Sequence, residues 1–190
     1  MAYVPRLNDN GIRGNYKWYS RNPFYQSGYG LPNCTCYAWG RFWEIGDPSN
    51  TGANRPHLPT GNGNQWWGQV VGYQKNTTTP KLGSVICFGG AYPGHVAIVE
   101  EIRDNGNTIV TSNSDWQAPP DRFFYTETLH RRSDGKFRHP HRSKLYLSQG
   151  FIYNPYAEDT PSPTPTPTTS EEKEGFPWGV ALHSWYKFKH

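Results

Sequence analysis

A chain of 190 residues has room for one ordinary domain and a tail, enough to bury a real core. Its 19 Lys and Arg against 15 Asp and Glu leave a net charge of +4, an excess that suits an anionic polymer without requiring one. Three cysteines, an odd number, exclude a complete disulfide framework, and no apolar run is long enough to cross a bilayer, so neither a disulfide scaffold nor membrane insertion is expected.

Residues 1 to 30 are rich in Asn, Gly, Tyr and Arg and show little periodicity. The first ten lack a charged segment followed by an apolar one, so no signal peptide is read there. Asn8-Asp-Asn-Gly11 opens like a calcium loop, but the later carboxylate of such a loop is missing and an ordinary turn is the reading. Leu31-Pro-Asn-Cys-Thr-Cys-Tyr-Ala-Trp-Gly-Arg-Phe-Trp-Glu-Ile45 reads as a loop opening into a helix. Pro32 and Asn33 are start signals, because an asparagine side chain accepts hydrogen bonds from the N–H groups of a first turn. Cys34, Tyr37, Ala38, Phe42 and Ile45 then fall on one helical face, with Cys34 in the first turn. Cys36 points to a different face, and Cys87, inside an apolar run, reads as a small buried hydrophobe. The three lack the paired spacing of a zinc site.

Gly46 to Thr79 is punctuated by Asn, Gly, Thr and Pro and reads as loop, carrying Trp66, Trp67 and Tyr73, with His57 at the surface. Gly83-Ser-Val-Ile-Cys-Phe-Gly-Gly90 and Gly94-His-Val-Ala-Ile-Val-Glu-Glu101 are strand-like runs joined by a Tyr92-Pro93-Gly94 turn. They predict a hairpin with His95 at the start of its second strand. Further strands are expected at Thr108–Thr111, Arg122–Leu129 and Lys144–Leu147, the last continuing into Phe151–Tyr153, in a half-buried antiparallel sheet. Arg131 to Arg142, the most basic stretch, reads as a solvated hairpin loop. Composition changes at Glu158, after which Thr160 to Thr169 is a Pro/Thr tract that favours extended polyproline II. The organisation is a folded unit over 1–157, a linker over 158–175, and an aromatic tail over 176–190 that is too short to fold alone and begins or docks onto a second module.

The chemistry sits at Cys34. The positive end of a helix dipole stabilises a thiolate, which is the nucleophilic form of cysteine. A nucleophilic cysteine needs a base oriented by a third group, and His95 is the best-placed base. A helix carrying the nucleophile against a sheet carrying the base predicts an α+β fold.

Four segments together carry a resemblance: Asn33-Cys-Thr-Cys-Tyr-Ala-Trp-Gly-Arg41, Gly61-Asn62 with Trp66, Pro80-Lys-Leu-Gly-Ser-Val-Ile86, and Gly94-His-Val-Ala-Ile-Val-Glu100. In order and approximate spacing they resemble a CHAP domain, over roughly residues 25 to 155. That family comprises cysteine- and histidine-dependent amidohydrolases and peptidases that cut bacterial peptidoglycan and are common in phage lysins. The resemblance implies a papain-like arrangement, with N-terminal helices packed on a central antiparallel sheet. It also implies a polar residue that orients the histidine. Ser112-Asn-Ser-Asp-Trp116 falls where the family has a Ser-Glu-x-Asn-Trp-like stretch, so Asn113 is the first candidate and Asp115 the second. By the same resemblance Asn33, Tyr37, Trp66 and Trp116 are expected along the substrate groove.

Some relatives bind calcium beside the nucleophile. The approach to Cys34 has no acidic cluster, so no metal and no cofactor are expected. The expected partner is Gram-positive peptidoglycan rather than nucleic acid, met by a lysin that leaves the host cytoplasm through a holin or rides in a virion tail. The resemblance implies N-acetylmuramoyl-L-alanine amidase or cross-bridge endopeptidase activity. The rivals are a non-catalytic wall-binding or virion module that keeps the fold, and a cysteine acyltransferase or peptidase acting on protein.

Overall fold

The computed structural model describes residues 3–116, 122–140 and 146–158. The expected linker beyond Glu158 and the tail at 176–190 lie outside the described residues, as do Lys144 and Leu145 of the last expected strand. Three α-helices and six strands are described, with a single 3-10 turn at Asp104–Gly106: α1 (Pro23–Gln26), α2 (Cys34–Gly46), α3 (Gly63–Gln69), β1 (Lys75–Asn76), β2 (Val85–Gly89), β3 (His95–Arg103), β4 (Thr108–Asn113), β5 (Tyr125–His130) and β6 (Leu147–Ile152). The strands form one antiparallel sheet in the order β1-β6-β2-β3-β4-β5. Helices α2 and α3 pack on it against β3 and β2, so the fold is α+β.

The sheet is buried on both faces. Val85, Cys87, Val96, Ile98 and Ile152 pack against the helices, in a core with Tyr37, Ala38, Phe42 and Trp66. Their neighbours Ile86, Phe88, Ala97, Val99 and Phe151 point the other way and meet Ile109, Leu129, Phe137 and Tyr146 in a second core. This is the period-two alternation of strands realised with apolar residues on both sides. The expected solvated loop at Arg131 to Arg142 is therefore corrected over its described part. Phe137 and His139 are buried there, and Phe137 covers the second face while Lys136 and Arg138 point outward.

Helix α2 is also more enclosed than one apolar face predicts, because every residue from Thr35 to Trp43 is buried. The non-periodic N-terminal segment supplies the cover. Trp18 lies over Gly40, where an added Cβ would come within 2.4 Å of the indole, and its Nε1–H donates to Tyr37 O at 3.1 Å. Tyr16 packs edge-on against Trp43 at 5.2 Å. At the far end of the helix Asp47 accepts from Thr51 N and Oγ1 and from Gly52 N, each at 2.8 Å, and from the Tyr16 hydroxyl at 3.0 Å. The fully buried Lys17 ammonium sits beside that carboxylate at 3.3 Å, where a cation also complements the C-terminal end of the helix dipole.

A buried ion pair joins α2 to β3. Arg41 donates from Nε to Glu100 Oε1 at 3.0 Å and from Nη2 to Oε2 at 2.9 Å. Ser112 Oγ donates to Oε1 at 2.6 Å, while Arg6 N and the Tyr3 hydroxyl donate to Oε2 at 2.8 and 2.5 Å. Burial works against the Arg41 charge, but Glu100 more than restores it, and the guanidinium pKa stands above its ordinary value. One carboxylate thus ties together the N-terminal segment, the helix and two strands.

Candidate active site

Cys34 is the first residue of α2, and the backbone there is set by its neighbour. Asn33 is extended, with φ −165° and ψ 130°, and its Oδ1 accepts from Thr35 N at 2.9 Å, Cys36 N at 3.1 Å and Thr35 Oγ1 at 2.7 Å. This is an N-cap that holds the first turn closed, so the partial positive charge of the helix end bears on the Cys34 thiol. The half-buried thiol lies at the rim of the core. Asn33 N in turn donates to Ser114 Oγ at 3.0 Å, which fastens the start of α2 to the end of β4.

His95 opens β3, as the hairpin pattern predicts, paired with Phe88 across β2. Its ring is buried, and its Nε2 lies 3.0 Å from Asn113 Oδ1 at the end of β4. The Asn113 amide can be oriented only one way, because its Nδ2 donates to Thr111 O at 3.1 Å and to Thr111 Oγ1 at 3.0 Å, and a carbonyl oxygen only accepts. Asn113 Oδ1 therefore accepts from His95 Nε2–H. The neutral imidazole is held as the tautomer with its basic lone pair on Nδ1, which is what a general base requires.

Helix α3 supports the same histidine from outside. Its first residue, Gly63, approaches the His95 backbone so closely that an added Cβ would lie 2.9 Å from His95 N, and Asn64 N donates to Pro93 O at 3.0 Å in the turn before it. The expected loop at Gly46 to Thr79 thus contains a short helix. Gln65 Oε1 accepts from Asn62 N at its start, and Trp66 Nε1–H donates to Gly61 O at 3.1 Å.

The four expected groove residues part company. Tyr37 is fully buried against Phe124, and Trp66 is fully buried against Phe24, so both are core side chains that offer no surface to a ligand. Asn33 is spent on the helix cap. Trp116 is 42% exposed and pairs with the exposed ring of Tyr29 at 5.7 Å. Of the two candidates for the third member, Asn113 is the one that meets His95 Nε2. Asp115 is buried just beyond, with its N–H donating to Arg122 O at 3.3 Å.

Two residues near the histidine escape the sequence reading. His139 is buried with its ring centroid 4.5 Å from that of His95, and its Nε2 is 3.5 Å from the Tyr125 hydroxyl. Tyr125 pairs with Asn113 across β4 and β5. Burial pushes its phenol up, Arg122 pulls it down, and the nearby Cys34 adds to the rise. The alternation of buried Phe137 and His139 with outward Lys136 and Arg138 was the available signal, hidden among charges.

The remaining cysteines stand apart from this chemistry. Cys36 is fully buried with its Sγ 3.5 Å from Trp18 O, and burial, with Cys34 adding, pushes its thiol up to about 12. Cys87 is buried in the sheet, and burial raises its thiol as well. No helix among the described residues is long and apolar enough to cross a membrane. A cleft of about 740 Å³ opens at the other end of α2, between Val4, Leu7, Glu44, Ile45 and Tyr156; its lining includes neither Cys34 nor His95, so depth alone does not mark the site.

A cysteine at the head of a buried helix and a tautomer-fixed histidine on the sheet packed against it are the arrangement of the papain-like cysteine hydrolases. Residues 24–115 match the family model of the CHAP domain, and this segment is a CHAP domain. It belongs with the peptidoglycan hydrolases of that family. The match runs from α1 to Asp115 and so takes in Cys34, His95 and Asn113, while Tyr125 and His139 lie beyond it. No curated protein shows a significant match to the chain.

Proposed function

We propose that this chain hydrolyses an amide bond of peptidoglycan with Cys34 as nucleophile, His95 as base and Asn113 as the residue that orients the base. The observation that carries the reading is the Asn113–His95 contact, whose geometry fixes the base tautomer behind a cysteine at a helix N-terminus. The thiolate attacks the amide carbonyl, a C–S bond forms, and the oxyanion is met by the backbone N–H of Cys34. The Asn33 cap engages the N–H groups of Thr35 and Cys36 and so fixes the backbone of the first turn that carries the Cys34 N–H. The His95 imidazolium gives its proton to the leaving amine as the C–N bond breaks. Water, deprotonated by His95, then cleaves the thioester and releases the acid. The exposed, paired rings of Trp116 and Tyr29 are assigned as substrate contacts.

The proposed setting is a phage lysin acting on Gram-positive wall, released from the host cytoplasm through a holin or carried in a virion tail. The Pro/Thr linker joins its folded unit to a second wall-binding or virion module through residues 176–190. Clearing of purified Gram-positive peptidoglycan by the wild type beside Cys34→Ala, with mass spectrometry of the products, tests the reading. Release only by the wild type is expected. New amines on alanine freed from muramic acid identify an amidase, and amines on a stem or bridge residue an endopeptidase. Equal activity of Cys34→Ala, or no release by the wild type from walls of several species, overturns it and favours a wall-binding module.

A further inference from the structure

We propose that His139 is a positioning residue for His95, and that the two rings share a single proton. The role of His95 rests on the hydrolase reading above, but the placement of His139 does not. The His139 ring is 1% exposed. Its backbone N–H donates to Tyr146 O at 3.2 Å, which sets it into the second core. From there the ring meets His95 edge to face, at 4.5 Å between centroids and 74° between planes, and meets Phe88 at 5.6 Å and 86°. Phe88 itself faces His95 at 6.0 Å. Asn113 holds the His95 ring at Nε2, and Phe88 and His139 wall it in, so a swing away from Asn113 runs into packed rings.

The charge argument follows from the same geometry. Two imidazolium rings this close in a site shielded from water repel, so a proton on one suppresses protonation of the other. Among the described residues, the titratable and charged groups beside the pair include the Tyr125 phenol on β5, on which Cys34 at the head of α2 acts, and Arg122, whose guanidinium lies 4.8 Å from the Tyr125 ring centroid. The Tyr125 hydroxyl, kept protonated by its burial, is placed to donate to His139 Nε2 and so favours a neutral His139. That donor tips the shared proton toward His95, where an ion pair with the Cys34 thiolate needs it, while repulsion still divides it between the two rings.

The test compares the wild type with His139→Phe, both labelled with ¹⁵N-histidine, in an NMR titration over roughly pH 4 to 9, the range in which histidines change charge. In the wild type the two rings titrate in coupled steps. In His139→Phe the His95 signals titrate in one step, with a midpoint raised by about half a pH unit or more. Superimposable His95 curves overturn the shared proton. In wall-hydrolysis kinetics His139→Ala lowers kcat about tenfold or more with KM unchanged, and His139→Phe recovers most of the loss by restoring a ring against His95. An unchanged kcat in His139→Ala overturns the positioning role. If that variant does not fold, the His139→Phe titration and kinetics decide. The titration needs no substrate, so failure of the wild type to hydrolyse peptidoglycan sinks the hydrolase reading without touching this result.

Discussion

At the scale of single residues, the choice of Asn113 over a carboxylate changes how the proposed base is held. An aspartate or glutamate at that position would bring a negative charge to support the imidazolium. Asn113 brings direction instead, because Thr111 takes its Nδ2 and leaves only Oδ1 for the histidine. Truncation to Asn113→Ala frees the His95 ring and its tautomer, and is expected to lower kcat about 10- to 100-fold with little change in KM, as measured by release of wall fragments. Asn113→Asp keeps an acceptor for Nε2–H but turns an oxygen toward the Thr111 carbonyl. It is expected to retain more activity than Asn113→Ala while unfolding at lower urea.

At the scale of elements, the site depends on where α2 begins, and Asn33 decides that with one oxygen accepting three hydrogen bonds. Asn33→Ala is expected to cost about 1–2 kcal/mol, the usual worth of an N-cap. In a domain of this size that lowers Tm by about 2–8 °C, measurable by circular dichroism, and the alkylation of Cys34 slows as the first turn frays. The start of α2 and the β2–β3 hairpin were legible in the sequence because their signals are local: a cap, an apolar run, a turn. That is also why Cys34 could be placed in the first turn of α2 and His95 at the start of β3, whereas Asn113 became a candidate only through the family resemblance. What was not readable depends on which segment covers which. Tyr37 and Trp66 look like groove aromatics until Phe124 is seen packed on the first and Phe24 of α1 on the second. The seven residues of α3 include two glycines, too few and too flexible to announce a helix, and the turn before His95 helps hold them. The alternation that sends Phe137 and His139 inward was outweighed by the arginines around it.

At the scale of the molecule, two charged clusters, at Arg41 and at the C-cap Asp47, hold the pieces in register along the second half of α2. The Arg41–Glu100 pair is buried, bidentate and shared with Ser112, Arg6 N and Tyr3. Glu100→Gln removes the buried carboxylate that Arg41 meets with two donors and leaves it the Glu44 carboxylate, at 2.8 Å, a change expected to cost about 3 kcal/mol in urea unfolding, a large part of what a domain of this kind possesses. The cluster at Asp47 sets the response to acid. Burial raises its carboxyl pKa, but donors from Thr51, Gly52 and Tyr16 outweigh it and hold the group well below the usual carboxylate range. A group depressed on folding contributes stability that is fully present above its unfolded pKa of about 3.9 and is lost as pH falls toward the folded value. The urea midpoint of the wild type should therefore exceed that of Asp47→Asn by a constant margin from about pH 6 to 8, and the margin should shrink below about pH 4. Lys17 sharpens the comparison. Its buried ammonium loses its charged neighbour in Asp47→Asn, and its own pKa is already lowered by burial, so the deficit of the variant should be largest near neutral pH, where Lys17 must carry its charge without a carboxylate. A margin that stays flat down to pH 3 would mean that Asp47 is solvated like any surface carboxylate, and that the N-terminal segment is held to α2 by its other contacts, the packing of Trp18 and Tyr16 and the bonds from Arg6 to Glu44 and from Arg41 to Val4 O among them.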